Sequence, residues 1–191
     1  MRKLLVLLFL LPIFTYCASG DLCRAEEQET SGYDQDFEML LQAICECDLE
    51  DGESIIVGEK YVISCEEGEV ELPSKERNAY SVTKSDWKTF KVTENGTEKP
   101  VFTLTQYVTA VYNTYTESVR IDSHTVTFTA NDTSYRLISS TQVATIGVWN
   151  EFAAPGRIEV VVGQGSSRGM AIASVTVFQS GEVTFRFSQA W

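Results

Sequence analysis

Hydrophobic positions fall into three textures along this chain. Leu4–Phe14 form an apolar run interrupted only by Pro12. Between Asp34 and about Cys47, Phe37, Leu40, Leu41 and Ile44 recur on one helical face, which predicts an amphipathic helix broken by Gly52. Ile55–Val57 and Tyr61–Ile63 then read as a short hairpin around Gly58, with Val70 and Leu72 following a Glu66-Glu67-Gly68 turn.

From Ala79 onward Thr, Ser and Arg alternate with Val, Ile, Tyr and Phe. This predicts strands at Trp87–Val92, Val101–Tyr107, Ser118–Ile121, Val126–Phe128, Tyr135–Ile138, Val143–Val148, Ile158–Val162, Ala171–Phe178 and Val183–Phe187. Turn signals separate them at Glu94-Asn95-Gly96, Asn131-Asp132, Pro155-Gly156, Gly163–Gly169 and Ser180-Gly181. Many short strands with one wet face each predict a mainly β fold. The expectation is an antiparallel β-sandwich, jelly-roll or immunoglobulin-like, behind a small acidic N-terminal helix–hairpin segment.

Charge sharpens the organisation. Residues 21–76 hold 18 acids against 3 bases, whereas residues 77–191 hold 9 against 10. The whole acid excess therefore sits in the N-terminal part, which reads as a solvated spacer or prosegment, and 77–191 as the β-domain. A formal net charge of −12 excludes nucleic acid and anionic membranes as partners held by charge alone. Arg2 and Lys3 before the apolar run make residues 1–20 a signal peptide, with cleavage as late as residue 25 an alternative. Tyr16 is too bulky for lipoprotein processing at Cys17. With no stable membrane span expected after the leader, the protein is read as secreted.

Cys23, Cys45, Cys47 and Cys65 all fall in the acidic segment. Bridging Cys45 to Cys47 is disfavoured by their spacing. That leaves Cys23–Cys45 with Cys47–Cys65, or Cys23–Cys47 with Cys45–Cys65. A second close pair for zinc is missing, so no metal is assigned.

Catalytic signals are few. The single histidine, His124, reads as an exposed turn residue beside Asp122. The glycine-rich run Gly163–Gly169 lacks the Gly-Lys-Ser/Thr ending of a phosphate loop and reads as a hairpin loop. Asp48–Glu53 is acidic but departs from EF-hand spacing. No catalytic residue and no cofactor is assigned. Asn95-Gly-Thr97 and Asn131-Asp-Thr133 are formal glycosylation sequons.

One constellation suits recognition. Trp149, Asn150, Glu151 and Phe152 place two aromatic rings and two polar groups beside a predicted loop, an arrangement fit to stack on a sugar or grip a peptide. The competing reading makes Trp149 a core cap, tucks Phe152 under the loop and leaves Trp191 as a packed C-terminal anchor.

The stretch Ser81-Val-Thr-Lys-Ser-Asp-Trp87-Lys-Thr-Phe90-Lys-Val92 through Phe102-Thr-Leu104 resembles the opening strands of small secreted β-rich proteins of unknown function from Gram-positive gut bacteria. Ala144-Thr-Ile-Gly147, Ala154-Pro155-Gly156-Arg157 and Gly181-Glu-Val183-Thr-Phe185 are similar to the terminal strands of phage tail-tip receptor-binding domains. Neither resemblance transfers a functional residue. The leading expectation is an exported, non-enzymatic protein that binds an extracellular protein or glycan, as a monomer rather than a trimer. A trimeric phage-type tip and a secreted hydrolase with an unseen acid pair are the alternatives.

Overall fold

A computed structural model describes residues 32–73 and 80–189. The leader, Cys17, Cys23, the segment 74–79 and Trp191 lie outside the described residues. One helix, α1 (Gly32–Glu46), precedes nine strands: β1 (Ser54–Val57), β2 (Tyr61–Leu72), β3 (Ser81–Glu94), β4 (Pro100–Asn113), β5 (Ser118–Ala130), β6 (Tyr135–Gln142), β7 (Ala153–Gln164), β8 (Ser167–Phe178) and β9 (Val183–Gln189). They form two antiparallel sheets, β1-β2-β3-β4-β5 and β6-β7-β8-β9. Each sheet is a meander in which every strand pairs with its chain neighbour. A jelly roll or immunoglobulin domain needs Greek-key connections instead, and the described strands make none.

The helical stripe is as expected. Phe37, Leu40, Leu41 and Ile44 are all buried, and they sit among Val160, Val162 and Phe187 of the second sheet and Ile63, Phe90 and Val92 of the first. Strand β2 meets β3 over its full length, from Tyr61 opposite Glu94 to Leu72 opposite Thr83. The step in charge at residue 76 therefore falls between two strands that pair in one sheet. Charge divides the chain there, but packing does not: apolar positions on α1, β1 and β2 complete the same core as the later strands.

Three turns expected from sequence lie inside strands. Gly68 sits mid-β2 opposite Trp87, and a Cβ there would run into the Trp87 indole, so this glycine makes room for a ring rather than a bend. Pro155-Gly156 lies within β7. Strand β6 covers β7 only from Ile158 to Gln164, so the missing N–H of Pro155 costs no ladder bond on that side. A Cβ at Gly156 would stand 2.9 Å from His124 Nδ1 and 2.8 Å from Val175, so glycine allows β7 to approach β5. Gly163 and Gly169 are likewise strand residues, which shrinks the glycine-rich run to a tight turn between β7 and β8. Conversely, Val143–Val148 is not a strand but a connection along the edge of β5.

The core is split in two. One apolar cluster gathers around α1, Phe90, Phe102 and Tyr135; the other joins Val108, Ala110, Val119 and Ile121 to Ala154, Val175 and Val177. Buried polar side chains lie at the division: Asp86, Lys88, Gln106 and His124. Gln106 is fully buried, and its Nε2 donates to Ser174 O of the opposite sheet at 3.0 Å and lies 2.8 Å from His124 Nε2. His124 is thus buried in mid-strand, not exposed at a turn. Burial holds its pKa down at about 4. It lands inside because its register on β5, opposite Val108, points it at the second sheet.

Candidate ligand-binding groove

The connection from β6 to β7 returns along the free edge of β5. Gly147 donates to Ile121 O at 2.7 Å, and Val119 and Asn150 exchange backbone hydrogen bonds at 2.9 Å in both directions. This short bridge places Trp149 opposite Arg120, and the guanidinium lies over the indole ring at 4.7 Å from its centroid. Asp122 Oδ1 accepts from Arg120 Nε at 2.8 Å, which fixes the planar cation on the ring.

The β4–β5 turn builds the facing wall. Asn113 Oδ1 accepts from the backbone N–H groups of Tyr115 and Thr116, each at 3.0 Å, so one side chain shapes the turn. Thr116 and Ser118 hydroxyls lie 2.7 Å apart at its end. Between the two walls is an open groove of about 500 Å³, lined by Asn113, Thr116, Ser118 and Arg120 on one side and Trp149, Asn150 and Glu151 on the other. On the same turn the exposed Tyr115 ring packs against the exposed Tyr80 ring at 5.5 Å.

Three of the four residues expected from sequence, Trp149, Asn150 and Glu151, therefore share one groove. Trp149 is 38% exposed and is not a core cap. Phe152 is 81% exposed, so it is not tucked beneath the loop, and it stands outside the groove lining. Sequence reading missed Asn113, Thr116, Ser118 and Arg120. The one available signal was Arg120 paired with Asp122 on the outward positions of a strand, a cation held in place where solvent would suffice.

Among the described residues His124 Nε2 meets the Gln106 amide and its Nδ1 has no hydrogen-bond partner. At 4% exposure the single histidine is a core residue in this fold. Cys45, Cys47 and Cys65 are each free thiols, so neither disulfide pairing expected from sequence is formed here. Among the described residues no group of His, Cys, Asp and Glu has the arrangement of a metal site, and no helix is long and apolar enough to cross a membrane.

No protein-family model, curated protein or solved structure matches this chain.

Proposed function

We propose that the protein is an exported, non-enzymatic binding module whose two sheets form a meander β-sandwich, and that the groove between the β4–β5 turn and the Trp149 connection takes an extracellular glycan. The observation that carries this reading is the half-exposed Trp149 ring, stacked with the Arg120 guanidinium and bordered by polar side chains in one groove. A flat apolar face ringed by hydroxyl, amide and carboxylate groups matches a sugar, which offers C–H faces and equatorial hydroxyls together. A protein ligand is the second reading, favoured by the exposed aromatics Tyr80, Tyr115 and Phe152 around the same end.

A glycan array probed with the full exported chain tests the reading, followed by titration of any hit against the Trp149→Ala variant. Binding that is lost in the variant while the melting curve stays in place supports it. Equal binding by both proteins, or no glycan bound by the folded wild type, overturns the glycan assignment.

A further inference from the structure

Two thiols stand at the C-terminal end of α1, Cys45 within it and Cys47 just beyond it. Both border the cavity toward Phe187 and Ser188 of β9, but only Cys47 also lines the shallow apolar groove with Ile55 and Val57 of β1, the strand paired with β2. The chain leaving Cys47 then folds straight back on Cys65. Gly52 donates to Cys65 O and Cys65 donates to Glu53 O, both at 2.9 Å.

A buried cation closes the circuit between the two sulfurs. Cys47 Sγ donates to Ile44 O at 3.5 Å and lies within the field of the Lys88 ammonium. Leu49 O accepts from Lys88 Nζ at 2.7 Å, Lys88 Nζ pairs with Glu67 Oε1 at 2.6 Å, and Cys65 Sγ donates to that same oxygen at 3.9 Å. Lys88 is 7% exposed, so its charge is little screened.

We propose that Cys47 and Cys65 are a redox pair that closes into a disulfide pinning the end of α1 to β2, and that Cys45 takes no part in it. The co-reactant is a small-molecule disulfide, RSSR, or a protein disulfide of the same chemistry. The Cys47 thiolate attacks one sulfur of RSSR, forming a mixed disulfide and releasing RS⁻. The Cys65 thiolate then attacks the Cys47 sulfur, forming the Cys47–Cys65 bond and expelling the second RS⁻. The protein loses two electrons and two protons, and RSSR leaves as two RSH. Burial pushes the Cys65 thiol up to about 11; the Lys88 ammonium opposes this, while Glu67, Cys47 and Asp51 add to the rise, and burial raises the Cys47 thiol as well. Closure is therefore slow at neutral pH and faster as pH rises. The pair is independent of the groove and its ligand.

Oxidised glutathione is the probe. The full chain, confirmed folded by circular dichroism, is equilibrated with it, blocked by alkylation and mapped without reduction after glutamyl cleavage, which separates Cys45 from Cys47 at Glu46. The expected result is a linked Cys47–Cys65 peptide that survives in Cys45→Ser and vanishes in Cys47→Ser. The oxidised wild type should also melt several degrees above the reduced form. A dominant Cys45–Cys65 or Cys23–Cys47 link overturns the proposal. So does a folded wild type whose Cys47 and Cys65 both remain alkylatable at equilibrium.

Discussion

Trp149, on the connection along β5, and His124, within β5, show opposite uses of a ring. Trp149 carries little packing, so Trp149→Ala should shift stability by only about 0.5 kcal/mol, as at an ordinary surface position. Loss of its face should weaken ligand binding by roughly 1–3 kcal/mol, because stacking and the Arg120 brace go together. Calorimetric melting and a binding titration on the same variant check both halves; a large drop in melting temperature would return Trp149 to the core. For His124 the argument runs through protons. Its folded pKa of about 4 lies below the unfolded 6.5 because burial disfavours the imidazolium. The unfolded chain thus binds the proton first. Stability is fully present above pH 6.5 and falls as pH drops toward 4, by on the order of 3 kcal/mol. Buried Asp86 has its carboxyl pKa raised by burial and works in the opposite direction. The test is therefore a difference: His124→Gln should remove part of the wild-type acid sensitivity between pH 6.5 and 4. Parallel stability curves for the two proteins would refute the buried histidine as its source.

At the scale of elements, Gly68 and Trp87 make a reciprocal pair across β2 and β3. Gly68→Ala should cost about 1–3 kcal/mol, since the indole or the strand must shift to admit a methyl group. Combining it with Trp87→Val should recover part of that loss, and denaturant melts of the two single variants and the double variant measure the coupling. The same scale separates what was legible in the sequence from what was not. The α1 stripe and most strand centres were readable because their periods are local. Gly68 and Pro155-Gly156 were misread as turns because their reasons are tertiary: a ring across the ladder in one case, a facing strand and an uncovered edge in the other. The groove was half legible. Trp149, Asn150 and Glu151 are contiguous, while Asn113, Thr116, Ser118 and Arg120 join them only through the bridge from Val119 to Asn150. Charge misled most. A chain starting at residue 77 would lose Phe37, Leu40, Ile44, Tyr61 and Ile63 from around Phe90 and Phe187. That fragment should show no cooperative thermal transition by circular dichroism. A sharp melt would mean that the later strands suffice on their own.

For the molecule as a whole, the polar layer of Gln106, His124 and Ser174 between two apolar clusters gives the sheets one preferred alignment. Apolar surfaces alone could slide, but Gln106 Nε2 finds Ser174 O at only one offset. The meander order has a further consequence, and it concerns time. Within each sheet paired strands are sequence neighbours, so most ladders close as hairpins, and little chain entropy is lost before hydrogen bonds repay it. Long hairpins such as β3–β4, with strands of 14 residues each, are suited to form early. On this order the two sheets should meet late, when α1 and the facing side chains lock together. Substitutions on the sheet-to-sheet surface, such as Val160→Ala, should mainly speed unfolding, whereas strand-weakening changes within β3–β4, such as Thr105→Gly, should mainly slow folding. Stopped-flow chevrons would tell the two apart, and the reverse assignment would place sheet docking ahead of hairpin closure.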